Sequence, residues 1–125
     1  MILNLTDLSD EPLQAQIYRQ IRALILANDL DAGTILPSIR GLAREQKVSV
    51  ITVQRGYDML EREGLIISRR GKGFFVTNVK SSTKKDLAEQ HLFEKLKPVL
   101  KIAKDEGMTE EEIKNVINKL LSGEN

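Results

Sequence analysis

Apolar residues recur along this chain with two different periods. Leu13, Ile17, Ile21, Leu24 and Ile25 fall three or four apart, the spacing of one helical face. A first helix is therefore predicted to run to about Ala27, with Asp10 as its cap and Pro12 in the first turn, where a missing N–H costs little. The stretch "NDLDAGTILPS" closes it with turn-formers. Asn28 can take a left-handed cap conformation, and Gly33 breaks the chain again. Ser38, just after Pro37, is placed to cap a short second helix, Ile39–Gln46, whose inner face is Leu42 and Ala43. A tight break at Lys47–Val48 leads to Ser49, the cap of a third helix from about Val50 to Glu63. Val53, Tyr57 and Leu60 form its apolar stripe, and Gly56 lies on the same side. A glycine inside a helix costs about 1 kcal/mol relative to alanine. Gly56 is accordingly read as a close contact between the second and third helices. Gly64 ends the third helix.

Beyond Gly64 the pattern changes. "LIIS" and "FFVTNV" are short β-branched or aromatic runs separated by "RRGKG", which predicts a two-stranded hairpin with a glycine loop. Residues 80–86, "KSSTKKD", read as a polar linker. Leu87, His91, Leu92, Leu96, Val99, Leu100 and Ala103 then mark another helical run, in which Pro98 predicts a kink or break near Leu96–Pro98. Gly107 ends that run. Thr109 and Glu112 have the spacing of a capping box, and Ile113, Val116, Ile117, Leu120 and Leu121 form the stripe of a last helix. The order helix, helix, tight turn, helix, hairpin is that of a winged helix-turn-helix. The expected fold is mainly α with a small β-hairpin: a winged helix-turn-helix domain over residues 1–79 and a short helical segment over 80–125.

Composition adds boundaries. Of the 125 residues, 41% are hydrophobic and 30% charged, as in ordinary soluble domains. No apolar run approaches the roughly 18–20 residues that span a bilayer. The start, "MILNLTDLSDEP", lacks a basic region and is not a signal peptide, so the cytoplasm is the expected location. Without cysteine there is no disulfide, thiol nucleophile or cysteine metal site. Net charge is only +1, but its distribution is uneven. Residues 1–39 carry two Arg against five acids, whereas residues 40–72 carry eight Lys and Arg against four acids. Eight of the ten cations before residue 80 are Arg, and all nine from residue 80 onward are Lys. Arginine's planar fork suits phosphate and guanine edges.

That cluster points to duplex DNA. The second helix of a helix-turn-helix pair lies in the major groove and meets bases through its N-terminal residues. Here these are Ser49, Val50, Ile51 and Thr52, followed by Gln54 and Arg55. Helix N-terminal amides and the Ser49 and Thr52 hydroxyls suit a phosphate. Gln54 has the chemistry for adenine and Arg55 for guanine or phosphate. Val50 and Ile51 leave two readings open: contact with thymine methyls, or a hydrophobic staple under the turn. Ser38 stands at the head of the second helix. Arg40 and Arg44 share one of its faces, beside the recognition helix, and are read as phosphate anchors. In the hairpin loop, Gly71 and Gly73 permit close approach while Arg69, Arg70 and Lys72 supply charge, a form that fits a narrow, negative minor groove. "RGKG" is not a nucleotide phosphate loop, because the second glycine-lysine spacing is absent. One histidine, His91, beside an apolar stripe is expected to be partly buried and structural. No enzyme activity, cofactor or metal site is expected.

"LPSIRGLAREQKVSVITVQRGYDMLEREGLIISRRGKGFFV" resembles the N-terminal DNA-binding domain of GntR-type bacterial transcription regulators. The resemblance covers about residues 10–78. It rests on Leu36-Pro37-Ser38-x-Arg40, on Ser49 with Thr52-Val53, on Leu60-Glu61 with Glu63-Gly64-Leu65-Ile66, and on the wing from Arg69 to Val76. It implies a dimeric, operator-binding regulator, most often a repressor, with Arg40, Ser49, Thr52, Arg70, Gly71 and Lys72 at DNA-contacting positions. Val50 and Gln54 stand where many members have arginine, so the family's usual guanine contacts and operators are not carried over. Only about 45 residues follow the winged domain, which is similar to the short YtrA-like subfamily. There, two C-terminal helices serve dimerisation.

The residues agree with a dimer on separate grounds. A single small domain with few base contacts binds one half-site poorly, and two-fold dimers place recognition helices about 34–36 Å apart. The candidate interface comprises Leu92, Leu96, Val99, Leu100, Ile113, Val116, Ile117, Leu120 and Leu121. The expected partners are double-stranded DNA and a second copy, with no membrane. The alternative is a winged-helix protein-interaction or architectural module without an operator. Any small-molecule effector stays unassigned.

Overall fold

The computed structural model describes residues 1–124. Its elements run α1 (Leu13–Leu26), α2 (Ile39–Gln46), α3 (Val50–Arg62), β1 (Ile66–Arg69), β2 (Gly73–Val76), α4 (Ser81–Asp105) and α5 (Glu110–Leu121). The chain divides into two compact units, Met1–Lys84 and Lys85–Asn125.

The first unit is organised by α1 and α3. Ile17, Ile21 and Ile25 of α1 and Val53, Tyr57 and Leu60 of α3 are fully buried, and Leu42, Leu65 and Ile66 complete the core. Where these two helices meet, Gly56 replaces a side chain with space. A Cβ there would lie 2.8 Å from Ile17 Cγ2 and 3.3 Å from the Gln14 carbonyl oxygen. Gly56 is thus a close-contact glycine as expected, but against α1 and not α2.

Asp10 does not cap α1. Pro12 occupies that position, and its carbonyl accepts from the amides of Ala15 and Gln16. The polar work at this end is done by Gln16, a buried side chain. Its Oε1 accepts from the Thr6 amide, and its Nε2 donates to the carbonyls of Thr6 and Glu11. Gln20, one turn on, exchanges both kinds of bond with the backbone of Asn4. The two amide side chains thereby hold residues 4–6 along α1, and Leu3 is buried beside them.

β1 and β2 pair antiparallel, with Ile66 opposite Val76 and Ile67 opposite Phe75. The segment before α2 runs beside β2 and joins it through a single bridge. Ile35 bridges Phe75, the Leu36 amide donates to the Phe74 carbonyl at 2.9 Å, and the Val76 amide donates to the Thr34 carbonyl at 2.9 Å. A region rich in turn-formers thus also closes the sheet. Phe74 packs edge-on against Tyr57, ring centroids 5.0 Å apart, and Tyr57 donates its hydroxyl hydrogen to the Pro37 carbonyl at 2.8 Å.

Two expectations for the tail, the linker and the break at Pro98, are overturned. Residues 81–86 are not a linker but the start of α4, because Lys84 is buried and donates to Asn28 Oδ1 at 2.7 Å. Asn28 has φ 64°, the left-handed conformation that its position after α1 called for. Pro98 does not break α4, which runs from Ser81 to Asp105. In α5 the capping box forms as read: Thr109 Oγ1 accepts from the Glu112 amide, and Glu112 accepts from the Thr109 amide. That bond, with the one from the Thr109 side chain, holds the Glu112 carboxyl below its usual range.

Candidate nucleic-acid interface

The turn between α2 and α3 is tight because Lys47 takes φ 57°, and the Val48 amide reaches back to the Ala43 carbonyl at 3.0 Å. Both helices begin on serine caps. Ser38 Oγ accepts from the Gly41 amide at 2.9 Å, and Ser49 Oγ accepts from the Thr52 amide at 3.1 Å. Ser49 and Thr52 hydroxyls also meet, 2.8 Å apart. The helix head therefore presents two linked hydroxyls beside free N-terminal amides, a ready site for an anion.

Helical geometry then sorts α3. Val53, Gly56 and Tyr57 face the core, while Gln54 and Arg55 are exposed. Val50 and Ile51 are 41% and 51% exposed. The pair leaves about half of its surface as apolar area at the head of the helix. Arg40 and Arg44 are exposed on α2, and Arg69, Arg70 and Lys72 on the hairpin. Gly71 and Gly73, at φ 73° and 105°, make the loop turn as only glycine does readily.

Ion pairing separates structural cations from available ones. Arg19 and Arg22 of α1 are bonded to Glu11 and Glu63. Among the described residues, Arg40, Arg44, Arg55, Arg69, Arg70 and Lys72 have no salt bridge. Lys47 and Arg62 are likewise exposed and without a salt bridge among the described residues.

Some positioning residues were not singled out from the sequence. Glu63 Oε1 accepts from both Tyr18 Oη and Arg22 Nε at 2.9 Å, clamping the end of α3 to α1. Burial, reinforced by Glu63, pushes the Tyr18 hydroxyl up. Glu61 Oε2 accepts from the Ser68 amide at 3.1 Å and ties the hairpin to the same helix. Both acids lie in the "EREG" exit from α3, and their roles depend on partners distant in sequence. His91, expected to be partly buried, is exposed instead. Among the described residues no group of three or more His, Asp or Glu could hold a metal, and no helix is long and apolar enough to cross a membrane.

In the Lys85–Asn125 unit, Ile113 is buried within the chain, and Leu96, Leu100 and Ile117 are half-buried. Leu92, Val99, Val116, Leu120 and Leu121 are exposed, as are Phe93 and Ile102, which the candidate interface had not included.

These features define a winged helix-turn-helix. The profile of the family described as "Bacterial regulatory proteins, gntR family" matches residues 13–76. The chain belongs to that family of DNA-binding transcription regulators and is YtrA-like. It is 34% identical over 115 residues to the HTH-type transcriptional regulator YhcF of Bacillus subtilis, covering 92% of this chain and 94% of that one. It is 36% identical over 75 residues to the HTH-type transcriptional repressor YtrA of the same organism, covering 60% and 58%. A crystal structure of a transcriptional regulator from Oenococcus oeni superposes with a TM-score of 0.74 at 27% identity, covering 96% of this chain and 99% of that one.

Proposed function

We propose that the protein is a repressor that binds a palindromic operator as a homodimer. The α3 head enters the major groove, and the Arg70–Lys72 loop enters the adjacent minor groove. The observation that carries this reading is that Arg40, Arg44, Arg55, Arg69, Arg70 and Lys72, on α2, α3 and the hairpin, are exposed without carboxylate partners among the described residues. In this arrangement Ser38, Arg40, Arg44, Ser49 and Thr52 hold phosphates and fix the register. Gln54 and Arg55 read base edges, and Val50 and Ile51 meet thymine methyls. Arg69, Arg70 and Lys72, with Gly71 and Gly73, form the wing contact. Repression agrees with the similarity to the transcriptional repressor YtrA.

The dimer is supported by the exposed apolar side chains of α4 and α5, Leu92, Phe93, Val99, Val116, Leu120 and Leu121 among them. Leu96, Leu100 and Ile117 lie beside them at the edge of the same surfaces, and Ile113 braces α5 from within. Two copies so joined supply the two-fold symmetry that a palindrome requires.

Selection from random duplex DNA tests the proposal. It predicts enrichment of an inverted repeat whose half-sites lie one helical turn or a multiple apart. Gln54→Ala should shift the preferred base within each half-site. Selection that enriches no sequence would assign the winged unit to a protein partner instead, with Val50 and Ile51 as its apolar contact.

A further inference from the structure

The outer face of the wing sheet carries an apolar surface beside two of the cations assigned to operator binding. Strand pairing sets Ile35, Phe75 and Ile67 side by side across the three extended segments. Their neighbours Ile66, Val76 and Leu36 point into the core and are buried. Ile35 and Ile67, however, are 60% and 44% exposed, so this sheet has an apolar outer face as well. Beside it lies a cavity of about 580 Å³, lined by Gly33, Ile67, Arg69, Lys72, Phe75 and Thr77 among others. That volume falls within the roughly 300–1,000 Å³ of small-molecule sites.

The lining has a definite chemistry. Ile67 and Phe75 give an apolar floor, and the Arg69 guanidinium lies over the Phe75 ring, its carbon 5.8 Å from the centroid. Neither Arg69 nor Lys72 has a carboxylate partner among the described residues. An aromatic ring beside two cations that carry no counter-charge matches a ligand with a flat apolar body and one negative end. A bare phosphate satisfies the cations and leaves the floor wet, while a neutral ring does the reverse.

We propose that this cavity is a binding site for a small aromatic anion, a carboxylate or phosphate ester borne on a planar ring. Arg69 and Lys72 hold the charged group, and Phe75 and Ile67 hold the ring. A regulatory consequence follows, resting on the function proposed above. Arg69 and Lys72 belong to the wing, so an anion seated here withdraws two charges from DNA. The ligand and the operator therefore compete, and the ligand acts as an inducer without any change of fold.

The test titrates phenyl phosphate into the isotope-labelled full chain without DNA, followed by amide chemical shifts. Inorganic phosphate and benzyl alcohol are the controls. Phenyl phosphate is expected to bind with a Kd of about 1 mM or below, perturbing the amides of Gly33, Ile67, Phe75 and Thr77. Each control should bind at least about tenfold more weakly. Lys72→Gln, on an exposed loop, and Phe75→Leu, which keeps the sheet apolar, should each weaken binding about tenfold. Perturbations centred on Phe93–Lys104, or equal affinity for inorganic phosphate, would overturn the site. At fixed ionic strength and ten times its Kd, phenyl phosphate should lower operator affinity about tenfold for each wing it occupies, about a hundredfold for the dimer, by simple competition. Ligand binding with operator affinity unchanged would overturn the regulatory role. A chain that takes the ligand but selects no DNA sequence would refute the operator reading alone, because the titration is read without DNA.

Discussion

Replacing Gly56 with alanine sets two well-characterised effects against each other. Alanine favours a helix interior over glycine by about 1 kcal/mol. Against this, the new methyl would stand 2.8 Å from Ile17 Cγ2, 3.1 Å from Ile17 Cβ and 3.3 Å from the Gln14 carbonyl oxygen. Ile17 is fully buried, its branched side chain has few rotamers to escape to, and the other two atoms move only with the backbone of α1. Overpacking of this kind costs about 1–3 kcal/mol, and a rigid neighbour belongs near the upper end. The net expectation is destabilisation of about 1–2 kcal/mol. Urea unfolding should show a midpoint lowered by roughly 0.3–2 M, given slopes of about 1–3 kcal/mol/M for small domains. In an Ile17→Ala background the same glycine change should cost less, because the atom at 2.8 Å is gone. A midpoint that rises with Gly56→Ala would show that α1 and α3 are not held in the close contact described here.

Other outcomes follow from the same packing. Tyr57→Phe removes the hydroxyl bond to Pro37 and should cost about 0.5–1.5 kcal/mol near neutral pH. Burial, with the Glu45 charge adding to it, pushes the Tyr57 hydroxyl far above its usual value, so its stabilising share is complete below about pH 10 and is lost as pH rises toward the folded value. Alkaline unfolding curves should consequently fall less steeply for Tyr57→Phe than for the parent. Glu63→Gln takes the carboxylate from Arg22 and Tyr18 and should lower stability by about 1–2 kcal/mol in chemical denaturation. Ile117→Asp places a charge on the half-buried stripe of α5 and should yield a monomer by light scattering that binds DNA poorly. A variant that stays dimeric would move the interface elsewhere.

Much of this arrangement is written in local pattern. The caps Ser38, Ser49 and Thr109 form the bonds their positions imply, because an N-cap satisfies amides only two or three residues away. The hairpin follows from its β-branched runs and glycine loop. What failed was set by distant partners. Gly56 was legible as a contact point, but the sequence does not say which helix it meets, and that helix is α1. The stretch 81–86 reads as a linker from its polar composition, and nothing local reveals that Lys84 reaches Asn28 across the fold. The bridging segment was hidden in the same way, since the Thr34 carbonyl and the Leu36 amide bond to β2, distant in sequence. At the candidate interface, local spacing singled out the exposed arginines of α2, α3 and the wing. The acids that brace α3, Glu61 and Glu63, escaped because their roles are bonds to Ser68, Tyr18 and Arg22.

The central claim is that the exposed cations of α2, α3 and the hairpin grip duplex phosphates. Affinity for the selected duplex, measured between 50 and 200 mM salt, tests it most directly. Six to ten phosphate contacts predict a loss of about 10³–10⁵ over that range. An affinity that stays level across the same range would contradict the account.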